Sequence, residues 1–327
     1  MAVTFDRIHT KKKQRLLREM MDRTARRVAA MSNPTPHAEA CQICGSTTIA
    51  PYIVAYGFGM ARCADCGLIF CDPYPSSEQL LAYYNSEMKD FENEFFRDSF
   101  DARVEIFSSR IELIHAVKYS GRLLDIGSAI GIFIESLTRA NAVFEVTACD
   151  MSSTACAELR KNYPNITVVN DDAANLTVDH SYDVVTMWDT LEHVVNLHEM
   201  LHTIRGLLAP EGLFVFSTPN THSFEWLVAG EKHVQILPPG HVNLMNAANI
   251  RMLLDQAGFE VADQHTMNAS LDIGYVQKLL VEDTVASGRA DAFLKQALSD
   301  PDFKALLSDY LVSKTMAGNV VTLARPR

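Results

Sequence analysis

No stretch of this 327-residue chain is apolar for the roughly 18 residues a bilayer crossing needs, and no early apolar run ends in the small residues of a secretory cleavage site. A cytoplasmic protein without a membrane span is therefore expected. No internal repeat and no low-complexity tract is visible, which sets aside repeat arrays and biased linkers. Basic charge is also scarce: 29 Lys and Arg stand against 40 Asp and Glu, for a net charge of −11. What basic charge there is crowds one end. Residues 1–31 hold nine Lys or Arg against three acids, a net of +6, which leaves the other 296 residues at −17. So acidic a body is a poor partner for a polyphosphate backbone, and it argues against nucleic acid as the substrate.

A hydrophobic fraction of 48% with 21% charged residues is ordinary for a globular protein, and the length allows two domains. Residues 5–31 read as one helix, with Leu17, Met21, Ala25 and Val28 on one face and Lys11, Lys12, Lys13, Arg15, Arg18, Arg23, Arg26 and Arg27 around the rest. Such a helix docks on the acidic body or on a second copy, so a homodimer is one expected partner; a membrane-surface or polyanion role and a partly disordered arm are the alternatives. Ser32-Asn33-Pro34-Thr35-Pro36 closes this first segment, residues 1–38.

Seven cysteines are present. Cys41-x-x-Cys44 and Cys63-x-x-Cys66 are separated by 18 residues, the spacing of a four-cysteine zinc site, and they define a module over residues 39–75. Two knuckles supply four thiolates to one ion, so a structural Zn²⁺ is expected, with no open position for catalysis. Cys71, Cys149 and Cys156 remain as thiols. Residues 76–118 read as a helical connector, with Ser77 as a cap and a helix over 95–118.

From residue 119 to 327, strands and helices alternate, which predicts a parallel α/β sheet with helices on both faces. Leu123-Leu124-Asp125-Ile126-Gly127-Ser128-Ala129-Ile130-Gly131 reads as a buried strand, an acid and a glycine turn opening a helix, a geometry that brings backbone amides close to a ligand. Asp150 with Met151 ends the second strand, where an acid can accept both hydroxyls of a ribose. Asp172 and Ala173 follow the third, and Trp188-Asp189-Thr190-Leu191-Glu192-His193 the fourth. Taken singly, Asp150 is explained as a helix cap and Asp171 and Asp172 as turn residues. In order, all of these segments lie at the strand ends where open α/β sheets bind ligands.

This order resembles the class I S-adenosylmethionine-dependent methyltransferases over about residues 119–270. The resemblance implies a Rossmann-like seven-stranded sheet and S-adenosylmethionine as cofactor. It implies that Asp125, Gly127, Ser128, Ala129 and Gly131 form the cofactor loop, that Asp150 and Met151 meet the ribose, and that Asp172, Ala173 and Trp188 complete the site. Leu208-Ala209-Pro210-Glu211-Gly212 and Ser217-Thr218-Pro219-Asn220 are similar to the family's turn and fifth strand. Ile130 stands where a small residue is usual, and Glu211 replaces the first glycine of the turn. The cysteine module with Cys66-Gly67-Leu68-Ile69-Phe70 and Pro73-Tyr74-Pro75 is similar to bacterial methyltransferases with an N-terminal zinc ribbon, many of which act on sugars or natural-product intermediates. A small-molecule acceptor follows as the expected partner.

Asp189 and His193, just past the fourth strand, and His241, in the loop after the fifth, are the candidate catalytic residues, because that edge faces the transferable methyl group. His222, Trp226 and His233 share the loop. Residues 271–316, with helical patterns at Phe293-Leu294, Leu298, Phe303 and Leu306-Leu307, are expected to cap the pocket or to form a dimer surface. Three rival readings fit parts of the chain. A short-chain dehydrogenase would use Tyr310 and Lys314, but Phe133 replaces its third loop glycine. A non-catalytic adaptor would bind the cofactor without using it. An RNA methyltransferase is opposed by the acidic body.

Overall fold

The structure, a computed structural model, describes residues 11–176, 181–267, 273–281 and 289–327. Helix α1 (Lys11–Ala29) buries Leu17, Ala25 and Val28 against Phe58, Tyr83, Met88 and Phe95. The apolar face expected of this helix is thus its docking face; residues 5–10 of the expected span lie outside the described residues. Strands β1 (Ile49–Ala55), β2 (Phe58–Cys63) and β3 (Ile69–Cys71) follow as an antiparallel sheet.

The connector holds three helices, α2 (Ser77–Tyr84), α3 (Glu87–Asp98) and α4 (Phe100–His115). Ser76, not Ser77, caps α2: its Oγ accepts from the Gln79 amide while Gln79 Oε1 accepts from the Ser76 amide. That reciprocal pair fixes the boundary one residue earlier than expected. The expected helix over 95–118 is broken at Ser99, whose hydroxyl bonds back to the Phe95 carbonyl between α3 and α4.

The remaining elements are β4 (Ser120–Ile126), α5 (Ile132–Arg139), β5 (Val143–Cys149), α6 (Ser153–Asn162), β6 (Thr167–Val169), β7 (Tyr182–Trp188), α7 (Leu197–Leu207), β8 (Leu208–Pro219) and α8 (Phe224–Ala229). They are followed by β9 (Asn243–Leu244), α9 (Ala247–Gln256), β10 (Phe259–Met267), α10 (Ile273–Val281), α11 (Arg289–Ala297), α12 (Pro301–Ser313) and β11 (Asn319–Pro326). Seven strands form one sheet in the order β6-β5-β4-β7-β8-β11-β10. Its Leu124, Val185, Phe214 and Phe216 pack on one face and Leu123, Val184, Leu213 and Val215 on the other. Burying each such side chain contributes about 1.5–3 kcal/mol.

The sheet is not wholly parallel. β11 runs antiparallel to β8 and to β10, with Met267 opposite Asn319. The chain leaves β10 and re-enters β11 at the same edge, so β11 must run backwards. The connection between them, α10 to α12, is thereby held at the edge where β4, β5 and β7 end. Tyr275, Lys278 and Leu279 of α10 wall the cavity there, as a cap would; residues 271, 272 and 282–288 of the expected cap lie outside the described residues.

The cysteine module shares its core with the large sheet. Ile43, Leu68 and Phe70 belong to the same buried cluster as Leu253, Leu254 and Phe259. β9 pairs with β3, Asn249 Nδ2 donates to the Cys66 carbonyl at 2.7 Å, and Gln256 Nε2 donates to the Ile43 carbonyl at 2.7 Å. Among the described residues no helix is long and apolar enough to cross a membrane.

Candidate functional site

β4 carries Asp125 to the sheet edge, and the backbone then turns through Gly127 (φ +76°), Ala129 (φ +44°) and Gly131 (φ +86°). A Cβ on Gly127 would stand 2.5 Å from Thr190 Oγ1, so the loops after β4 and β7 meet only because residue 127 has no side chain. Gly131 is set behind the cavity wall, where a Cβ would stand 2.8 Å from Leu159; it serves the packing of α5 on α6. The loop amides differ from expectation. Those of Gly127 and Ser128 donate to the Cys149 carbonyl at 2.8 and 3.2 Å, and that of Ala129 donates to Asp150 Oδ2 at 2.8 Å. They brace the loop against β5 rather than standing free.

The strand-end acids line one rim of a cavity of about 1850 Å³. Asp125 is 2% exposed, and Thr186 Oγ1 donates to its Oδ1 at 2.7 Å. Burial pushes its carboxyl up to about 7, against the opposing pull of the Thr186 bond. Burial also raises Asp150, whose Oδ1 accepts from the Ser152 amide at 2.8 Å. Asp171 is held low by Asn175 and the Asp172 amide, and Asp172 Oδ1 accepts from the Ala174 amide at 3.0 Å. Met151 and Ala173 lie on the same wall. Trp188 reaches the cavity too, but its ring stands edge-on to Phe107 at 5.5 Å, within the core. Carboxylates spaced along this rim, with lone pairs left for hydroxyl and ammonium donors, suit an adenosyl amino acid.

Asp189 (φ +47°) follows β7. Its Oδ1 accepts from Ser217 Oγ at 2.7 Å and Asn319 Nδ2 at 2.6 Å, while Oδ2 lies 3.9 Å from the buried guanidinium of Arg110. His193 Nδ1 lies 2.8 Å from the Gly240 carbonyl and 3.1 Å from Tyr84 Oη. His241 Nδ1 lies 2.9 Å from the Gln235 carbonyl. The two rings stand edge to face, 4.8 Å apart. Burial, then the neighbouring His241, holds His193 well below its ordinary range, and burial holds His241 down to about 4 against the raising pull of its Gln235 carbonyl bond. Both imidazoles are therefore neutral at pH 7, and a group of so low a proton affinity is a weak general base. His233 is buried against Trp226 at 4.6 Å, and His222 is exposed.

The structure adds residues that sequence reasoning left without a role. Glu192 is 1% exposed beside Asp189 and His193. Lys89 of α3, 2.5 Å from Glu92, and Arg103 of α4, 4.4 Å over the Phe96 ring, both face the cavity. Glu192 was visible as a carboxylate directly before a histidine. Nothing in the connector's sequence marks which of its faces is covered.

Elsewhere, Cys41 Sγ lies 3.6 Å from Cys66 Sγ, and Cys44 Sγ lies 3.4 Å from Cys63 Sγ, with all four sulfurs within 4.8 Å. With Zn–S bonds of about 2.3 Å, the corners of a tetrahedron lie about 3.8 Å apart, so this donor set fits a tetrathiolate ion. Burial raises Cys63, but amide bonds from Cys66 and Asp65 turn its thiol down to about 7. Cys71 is fully buried and outside this group. Tyr310 is 55% exposed on α12, and neither it nor Lys314 lines the cavity.

A family described as "Methyltransferase domain" matches residues 97–264, just over half of the chain. An enzyme of Neisseria meningitidis serogroup C named ubiquinone biosynthesis O-methyltransferase is 30% identical over 166 residues, 47% of this chain and 69% of its own. A Vibrio cholerae protein of the same name is 27% identical over 184 residues, 48% of this chain and 73% of its own. A solved complex between the Haloferax volcanii Trm112 methyltransferase activator and a methyltransferase shares the fold, with a TM-score of 0.50 at 16% identity, covering 73% of this chain and 95% of the matched one. A seven-stranded sheet with one reversed strand, acids along its ligand-binding edge and these likenesses converge on one assignment: the chain belongs to the methyltransferase domain family and is a class I S-adenosylmethionine-dependent methyltransferase.

Proposed function

We propose that the methyl acceptor is a small molecule. The observation that carries this reading is the size of the cavity, about 1850 Å³, against roughly 300–1,000 Å³ for a typical ligand site. There is room for the cofactor and a second compound, and residues of α1, α3 and α10 contribute to the walls. The acidic body supports the same reading over RNA. So do the relatives named for ubiquinone biosynthesis.

In this reading Asp125 receives the cofactor's ammonium group and Asp150, with Met151, its ribose. Asp172 and Ala173 take the adenine. Gly127, Ser128, Ala129 and Gly131 shape the loop around the methionine part, and Trp188 forms the floor. Bound S-adenosylmethionine supplies an electrophilic methyl group. Asp189, His193 and His241 gather at the acceptor end and align the nucleophile; such positioning supplies roughly 7–11 kcal/mol of a barrier. Cys41, Cys44, Cys63 and Cys66 hold a structural Zn²⁺. With tritium-labelled cofactor and a cell extract, label is expected in the low-molecular-weight fraction. Label confined to RNA or protein would overturn the small-acceptor reading.

Asp125 makes cofactor affinity depend on pH. Its carboxyl titrates near 7 because it is buried, and only the ionised form pairs with an ammonium. Affinity for S-adenosylhomocysteine is therefore expected to rise about tenfold from pH 6 to pH 8, following the ionised fraction. Calorimetry across this range on Asp125→Asn should give a flat profile; an unchanged slope would remove Asp125 from the ammonium site.

A further inference from the structure

We propose that Glu192, His193 and His241 form a divalent-cation site at the acceptor end of the cavity, where the ion binds the hydroxyl oxygen that receives the methyl group. The proposal rests on the small-acceptor methyltransferase reading and specifies its chemistry: the acceptor is a hydroxyl compound. One ligand atom from each of the three residues lies within 4.8 Å of the others, and all three residues line the cavity. Small side-chain adjustments bring such a set around an ion at bond lengths of about 2.0–2.2 Å.

The carboxylate points to a missing partner. Glu192 is 1% exposed, and its Oε2 is buried without a hydrogen bond. A buried carboxylate oxygen left unpartnered is costly, and a cation removes that cost. The imidazoles are arranged as metal ligands are. His193 Nδ1 faces the Gly240 carbonyl at 2.8 Å and His241 Nδ1 faces the Gln235 carbonyl at 2.9 Å. A carbonyl accepts, so each Nδ1 carries the proton and each Nε2 keeps its lone pair, the orientation that a supporting hydrogen bond imposes on a ligating histidine. The two loops are tied together at this point, since the Val242 amide donates to the Glu192 carbonyl at 2.8 Å. Asp189, three residues before Glu192, has its Oδ1 committed to Ser217 and Asn319 and stays outside the set.

Two imidazoles and one carboxylate leave coordination positions open and suit a first-row transition ion better than Ca²⁺ or Mg²⁺. In one open position the acceptor hydroxyl is acidified, and its proton passes to solvent water. The oxygen lone pair then forms the new C–O bond as the S–C bond breaks. The sulfur keeps that bond's electron pair and leaves as the thioether of S-adenosylhomocysteine. The ion is neither oxidised nor reduced.

Cobalt(II) titration of the full, zinc-loaded chain tests the site without turnover. One equivalent is expected to bind with the weak visible bands of nitrogen and oxygen ligation, and without the intense thiolate bands that displacement at the cysteines would give. Glu192→Gln and His241→Ala should each weaken uptake at least about tenfold while retaining the circular dichroism of the parent and its heat of S-adenosylhomocysteine binding. Failure of the parent chain to take up cobalt outside the thiolate bands overturns the proposal, as does wild-type uptake by both variants. Loss of cofactor binding by the parent would strike the methyltransferase reading instead, so the two failures are distinguishable.

Discussion

His241→Ala and Asp189→Asn are each expected to lower the rate of methyl transfer by about 10²-fold through lost alignment of the acceptor, with S-adenosylhomocysteine binding held within a factor of about two. In the proposed site the two residues reach the cavity from different loops. His241 comes from the loop that β9 anchors on β3, whereas Asp189 stands on the turn after β7. Asp189 has a left-handed backbone, a conformation that costs about 1–3 kcal/mol and persists only where the surroundings over-determine it. Those surroundings are identifiable: its amide donates to the Ser217 carbonyl, and its Oδ1 accepts from Ser217 and Asn319. Asn is the sharper substitution at 189. Asn keeps an oxygen that can accept from Ser217 and Asn319, whereas Ala removes that acceptor too; both take the negative charge from beside the buried Arg110 guanidinium, so melting temperature is followed in each. Single-turnover rates beside calorimetry separate the effects. Unchanged rates in both variants would remove this pair from the acceptor end.

The sequence makes the row of strand-end acids legible and leaves the facing side of the cavity largely dark, for a physical reason. Asp125 stands at the end of β4, and Asp150 and Asp172 follow β5 and β6; such strand ends are set by local apolar runs and by the turn residues after them. Their common edge then follows from the parallel connections alone. The reversal of β11 depends on where a long connection re-enters, and no local pattern marks that. Lys89 and Arg103 line the cavity together with residues of α1. Which face a helix buries against a distant segment is decided by tertiary packing. Glu192 lies between the candidate residues Asp189 and His193, yet its burial and unpartnered oxygen emerge only once the loop carrying Val242 is folded against it. The cysteine pattern predicted four converging sulfurs but gave no sign that their module shares a core with the large sheet.

That shared core makes zinc removal a test of more than the module. Stripping zinc, or replacing Cys63 by Ser, is expected to melt residues 39–75 first and to depress the transfer rate with them. Structural zinc contributes roughly 10–16 kcal/mol of apparent binding free energy in small domains, more than so short a segment gains from its own apolar contacts. β3 is also the partner of β9, and the Cys71 amide donates to the Val242 carbonyl at 2.9 Å. Losing this edge frees the loop that presents His241, while β4 and β5, which carry Asp125 and Asp150, keep their own sheet partners. Cofactor binding should therefore outlast methyl transfer as zinc is withdrawn. Cys63→Ser is the cleaner arm, because a chelator would also compete for an ion at Glu192, His193 and His241. Zinc content, hydrogen exchange over residues 49–71 and turnover, followed together, check the order of events. A zinc-free chain with unchanged exchange and melting temperature would show that the four cysteines hold no structural metal.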